Sequence, residues 1–206
     1  MNNQTYCSST VLAWREILAA AHAGEQAPGI SYIRHGEQVA EKLMALIANL
    51  GKNGDWTDLI TIDDLRLEML SFHNMKNKDL VEQISTYAIY HDIGKPFCLE
   101  IDADGKKHYP NHSEVSQALW NSNFDEPYIS YLILHDMDIH VLKPINAADW
   151  AKTNQAPLTL LLSAMASIQA NCEMFGGISS DSYKIKKKKL ASNAKRIIQT
   201  LKEQHV

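Results

Sequence analysis

The stretch Tyr90-His91-Asp92-Ile93-Gly94-Lys95-Pro96 most constrains what this chain can fold into, because it ends an apolar helix on two residues with metal-binding chemistry. The helix predicted from about Lys78 to His91 has to stop there. Gly94 frees the backbone, and Pro96 removes a donor and clashes with the preceding turn. Neighbouring helical positions point about 100° apart, so His91 and Asp92 would diverge inside a regular helix. At the last turn, where the backbone bends, a cation can gather both. Further ligands are on offer at His35, His112, His135 and Asp136.

The rest of the chain reads as helices. Ser9 caps a first one carrying Val11, Leu12, Ile17 and Leu18, ending near Gly24, and a Pro28-Gly29 loop follows. Val39, Ala40, Leu43, Leu46, Ile47 and Leu50 recur at three- and four-residue spacing, which predicts a helix from His35 to Leu50. Gly51 to Asp58 reads as a loop, and Thr61-x-x-Asp64 as a capping signature for the next helix. Residues 97–101 and 107–109 flank Asp102-Ala103-Asp104-Gly105, a strong turn, and so predict one small β-hairpin. Helices are expected again over Ser113–Ser122, Glu126–His140 and from Pro157 to Met174, with Gly176-Gly177 closing the last. A basic helix over about 184–204 completes the chain. The expected fold class is therefore all-α, a helical bundle with one hairpin near residues 97–109, in a single domain spanning 1–206.

Composition agrees. A chain of 206 residues, 45% hydrophobic and 21% charged, is long enough for a substantial core. Cys7, Cys98 and Cys172 are too scattered for a disulfide framework or a zinc ribbon. The N-terminus lacks the basic segment and apolar run of a signal peptide, and no apolar run approaches the roughly 20 residues that span a bilayer. A soluble, cytoplasmic protein without membrane contact is expected. Charge is uneven: from Lys184 onward, eight basic side chains against Glu203 alone make +7, which leaves −11 on the other 183 residues of a chain at −4 overall. Residues 184–202 can meet phosphate on a nucleotide or RNA. They can equally form a helix with a solvated face, docked through Leu190, Ala194, Ile197, Ile198 and Leu201. Both readings can hold together.

The candidate ligands sit at element ends, where side chains from several helices can converge on a cleft. Imidazole favours Mn, Fe, Co, Ni or Zn, and carboxylates complete the shell. Other histidines have plainer readings. His22 and His73 suit helix C-termini, His108 lies within the hairpin, and His140 is either close to the site or only helix-terminal. Asp102 and Asp104 lack the other ligands of a calcium loop and serve the turn.

Together these residues resemble the HD-domain metal-dependent phosphohydrolase superfamily. The match is carried by His91-Asp92-x-Gly94-Lys95-Pro96 after an apolar helix, and by His35 followed by x-x-x-Val39-Ala40. The chain is most similar to the HD domain of bacterial CCA-adding tRNA nucleotidyltransferases. Those also follow Gly-Lys-Pro with an Asp-Gly hairpin and a His-Glu pair opening a helix, here Asn111-His112-Ser113-Glu114, and a later Leu134-His135-Asp136 resembles their next metal-associated step. The resemblance covers about residues 30–175, without a nucleotidyltransferase head. It implies an all-α bundle hydrolysing a phosphomonoester or phosphodiester of a nucleotide or RNA end, through water activated by one or two divalent metals, Mg included. His35, His91, Asp92, His112, His135 and Asp136 are then the metal ligands. Asp92, Lys95 and His112 act in catalysis, and Lys95, His112 and His140 contact substrate. At the position of the family's closing carboxylate the chain has Asn171, an amide, for which Asp136 or Glu173 can compensate. The alternative is a non-catalytic HD module that binds nucleotide, RNA or a protein.

Overall fold

A computed structural model describes residues 12–204, so the expected cap at Ser9 and the apolar Val11 lie outside the described residues. Helix α1 (Trp14–Ala23) opens with the Glu16 carboxylate accepting from the Ala13 N–H at 3.2 Å. It leads into a ribbon of β1 (Glu25–Ala27) and β2 (Ile30–Ser31), turned at Gly29 with φ +74°. This second hairpin stands where the sequence predicts only a loop, because strands of two and three residues are too short to show alternation. The Ser31 hydroxyl accepts from the Arg34 N–H at 3.1 Å, so α2 (Tyr32–Ala48) starts ahead of His35 and carries it on its first turn.

Helix α3 (Ile62–Leu70) has the reciprocal cap expected from its sequence. The Thr61 N–H donates to Asp64 Oδ2 at 2.8 Å, and the Asp64 N–H donates to Thr61 Oγ1 at 3.2 Å. Asp79 caps α4 (Leu80–Tyr90) by accepting from the Glu82 N–H at 2.8 Å, and α4 stops at His91 as predicted. After a 3₁₀ turn at Lys95–Phe97 comes the expected hairpin, β3 (Glu100–Ile101) paired with β4 (Lys107–His108). Asp102 Oδ1 accepts from the N–H groups of Asp104 at 3.0 Å and Lys106 at 2.8 Å, which is turn chemistry rather than calcium ligation.

Helices α5 (His112–Asn121) and α6 (Pro127–His135) follow. The continuous helix predicted over 126–140 is interrupted by a turn at Asp136-Met137, and the chain resumes as the short α7 (Asp138–Val141). Helix α8 (Ala147–Thr153), absent from the sequence reading, buries Ala147 and Ala151. Helix α9 (Pro157–Ala170) begins on a proline, as predicted, and is buried along nearly its whole length. Its N-terminus is capped from a distance: the Glu68 carboxylate of α3 accepts from the N–H groups of Leu158 at 2.6 Å and Thr159 at 3.0 Å. The basic segment forms α10 (Asp181–Gln204).

Helix α9 is the axis of the core. Leu160, Leu161, Leu162 and Met165 are each at most 1% exposed, and burying such a side chain contributes about 2 kcal/mol. Helix α2 packs on both α4 and α9, α4 also meets α6, and α10 covers α8 and α9. Gly36 sets the closeness of α2 and α4. A Cβ there would lie 2.0 Å from the Ile89 carbonyl oxygen, so only glycine lets the two backbones approach this far. His35 and His91 flank that crossing. Among the described residues, no helix is long and apolar enough to cross a membrane.

Candidate metal centre

The α2–α4 crossing brings together His35, His91 and Asp92, each at most 5% exposed. One potential ligand atom from each lies within 4.8 Å of the others, an arrangement that can hold a metal ion. Asp92 Oδ2 lies 3.2 Å from His91 Nε2 and 3.8 Å from His35 Nε2. The divergence of neighbouring helical side chains is overcome because α4 ends at His91, leaving Asp92 outside the helical repeat.

Second contacts fix which nitrogen faces the cluster. His91 Nδ1 sits 2.8 Å from the Ala88 carbonyl oxygen, and His112 Nδ1 sits 3.1 Å from that of Tyr109. A carbonyl only accepts, so each Nδ1 carries a proton and a neutral ring turns its Nε2 lone pair elsewhere. For His112 that direction is toward Asp92 Oδ1, 3.6 Å away. Metal-ligating histidines commonly have such carbonyl partners. Gly94 makes room for this: a Cβ there would meet Ser116 N at 2.5 Å and His112 O at 2.8 Å. Its own N–H donates to Ser116 Oγ at 2.9 Å, tying the turn after Asp92 to α5.

Asp136 lines the same cavity, and the Tyr87 hydroxyl donates to its Oδ1. Tyr87 in turn meets Ser163 Oγ of α9 at 2.9 Å. His135 does not join them. Its Nδ1 bonds Asp138 Oδ2 at 2.9 Å, its ring lies 4.3 Å from that of Tyr131, and it is not part of the cavity wall. The expected His135-Asp136 ligand pair is thus split, because Asp138 holds the His135 ring away while Asp136 lines the cavity. Glu173 is exposed and also stands off the cavity wall, so of the two carboxylates expected to compensate for Asn171 only Asp136 lines the cavity.

Lys95 is buried against Asp92. Its Nζ donates to Asp92 Oδ2 at 2.6 Å and to Gln26 Oε1 at 2.9 Å, and it lies 5.2 Å from the centre of the Tyr109 ring. Gln26 comes from the hairpin the sequence did not reveal, and only that hairpin puts it in reach.

Electrostatics follow from this packing. Burial, then the neighbouring His91, lowers His35 to about 4. Burial alone would lower His91 too, but Asp92 and Asp136 outweigh it and carry His91 up to about 9. Burial would raise Asp92, yet His91 and Lys95 hold it well below the usual carboxylate range. His140 lines the cavity and is lowered by burial.

The cluster forms the floor of a cavity of about 630 Å³. Its walls carry Lys107, Lys186 and Lys189, together with apolar Ile168, Phe175 and Ile185. Asn171, at the end of α9, also lines it, and its buried Oδ1 has no hydrogen-bond partner among the described residues. An orphaned oxygen there is open to a cation or a donor. Compared with protein-family models, characterised proteins and solved structures, the chain matches none.

Proposed function

We propose that this chain is a metal-dependent phosphohydrolase of the HD type, cleaving a phosphomonoester or phosphodiester of a nucleotide or RNA end. The observation that carries the reading is the buried His35–His91–Asp92 cluster at the floor of a lysine-walled cavity. The donor set fits a transition metal: imidazole nitrogens with carbonyl-fixed tautomers, one buried carboxylate, a second in Asp136, and the orphaned Asn171 oxygen. Mn, Fe, Co, Ni or Zn suits these ligands better than Mg, and one or two ions fit the number of donors. A bound divalent ion supplies Lewis acidity that makes water nucleophilic near neutral pH and polarises the ester.

The chain's own residues supply the rest. His35 stays neutral at physiological pH because burial holds it near 4, so its nitrogen is free to ligate. Lys95 fixes Asp92, and its charge offsets that of the carboxylate within the buried cluster. Tyr87 fixes Asp136 through its hydroxyl. His112, its Nδ1 on the Tyr109 carbonyl and its Nε2 on the Asp92 side of the cavity, is the ring available as general acid for the leaving oxygen. His140, Lys107, Lys186 and Lys189 line the cavity where an anionic substrate would lie.

A neutral Asn171 in place of a closing carboxylate favours a second reading, a module that binds nucleotide, RNA or protein without turnover. A panel of phosphomonoesters, 2′,3′-cyclic nucleotides and phosphodiesters, assayed with Mn, Ni, Co and Mg, separates the two. Hydrolysis of at least one ester is expected, and Asp92→Asn should lower it by about 10³-fold or more while the helical circular dichroism persists. Nucleotide binding with no turnover under any metal would favour the binding module instead.

A further inference from the structure

The lysines around the cavity outnumber what one phosphate needs. Four of them (Lys95, Lys107, Lys186 and Lys189) line it against Asp92 and Asp136. The lysine ion pairs among the described residues are Lys78–Glu126, Lys95–Asp92 and Lys152–Asp149. Lys107, Lys186 and Lys189 therefore line the cavity with no carboxylate partner, and of these Lys107 Nζ is already held by the Glu25 carbonyl at 2.9 Å. A phosphomonoester brings at most about two negative charges, and bound metal would already answer part of those.

Lys186 and Lys189 are one helical turn apart on α10, a spacing that puts them on one face. Both are positioned: Lys189 Nζ donates to the His140 carbonyl at 2.9 Å, and Lys186 Nζ lies 4.7 Å from the centre of the Phe175 ring. Neither contacts Asp92 or Asp136, so they stand apart from the floor where the scissile phosphate would sit. His140 lines the same cavity, and its carbonyl is the group that holds Lys189 there. Phe175 and the 67%-exposed Ile185 give that end of the cavity an apolar surface that suits a nucleoside.

Building on the phosphohydrolase reading, we infer that Lys186 and Lys189 form a second phosphate subsite, so that the preferred substrate carries a further phosphate remote from the one hydrolysed. Phe175 and Ile185, beside those lysines, would pack against the nucleoside that carries both phosphates. In this arrangement α10 selects substrate while the His-Asp cluster acts on it.

The probes are adenosine 3′,5′-bisphosphate and adenosine 3′-monophosphate, used on the full chain with Mn. The bisphosphate should show a KM about tenfold lower than the monophosphate, the size expected for one added charge-assisted contact. The Lys186→Ala/Lys189→Ala double variant should bring the ratio of the two KM values to about one. Lys188→Ala, on the same helix but off the cavity wall, should keep the wild-type ratio. Equal KM values in wild type, or a ratio that the double variant leaves intact, would overturn the subsite. If neither nucleotide is hydrolysed, the ester panel decides the phosphohydrolase reading, and calorimetric binding of the same two nucleotides decides the subsite by itself. Tighter bisphosphate binding lost in the double variant supports it, and equal binding overturns it.

Discussion

Asp92 has more claimants than any other side chain here, with His91, His35 and Lys95 around one oxygen and His112 near the other. That crowding gives the metal-free protein a defined pH profile. His91 is raised from 6.5 to about 9, so its contribution to stability is complete below pH 6.5 and is lost as pH climbs through 9. His35 is lowered from 6.5 to about 4, so the unfolded chain takes up its proton first, and stability is lost as pH falls from 6.5 toward 4. The two effects together place maximal stability near pH 6.5. Thermal unfolding followed from pH 4 to 10 should trace that maximum. Divalent metal should remove the alkaline decline, because ligation requires the unprotonated His91 ring. A profile that keeps rising through pH 9 without metal would contradict these assignments. The His91-Asp92 doublet was legible because adjacent metal-binding types before Gly94 and Pro96 are rare company on a helix. His135 was misread because its direction depends on Asp138 and Trp150, which a linear pattern does not position.

At the scale of elements, helix spacing was the readable part. The apolar periodicity of α2, α4 and α9 marked them, and the Thr61 cap and the Asp-Gly hairpin were visible as local chemistry. The break after α6 was not, since residues 126–140 carry helix-compatible side chains throughout and only tertiary contacts divide them. Gly36 also passed unnoticed, because a glycine inside an amphipathic helix gives no sign of what lies across from it. Its role makes a prediction with an informative sign. In an exposed helix Gly→Ala gains about 1 kcal/mol. Gly36→Ala should instead cost about 3 kcal/mol, as its methyl group would meet the Ile89 backbone. Denaturant unfolding measures this directly, and a stabilised variant would show that α2 and α4 are farther apart than described.

Across the whole molecule, the core and the centre depend on one another. Side chains from residue 35 to residue 171 meet at one cavity, and α10 closes it from outside the span of the family resemblance. The basic segment could be recognised from its charge, but not which lysines face inward. That depends on how Leu190, Ala194, Ile197 and Ile198 dock: all four lysines from 186 to 189 are exposed, and docking puts Lys186 and Lys189 at the cavity wall while Lys187 and Lys188 lie off it. A cation bound across α2 and α4 links elements that otherwise separate on unfolding. Mn at about 100 times its Kd should therefore stabilise the fold by about 2.7 kcal/mol, raising Tm by several degrees, and a chelator should reverse the shift. An unchanged Tm at saturating metal would detach metal binding from the fold.

Imidazoles and a carboxylate from α2 and the end of α4 lie close enough together to share one cation. Anomalous diffraction from crystals grown with Mn, Co or Zn tests this most directly. We expect a peak about 2.0–2.3 Å from His35 Nε2, His91 Nε2 and an Asp92 oxygen, with Lys95 displaced from at least part of its contact. A peak elsewhere, or none at this cluster under saturating metal, would contradict it.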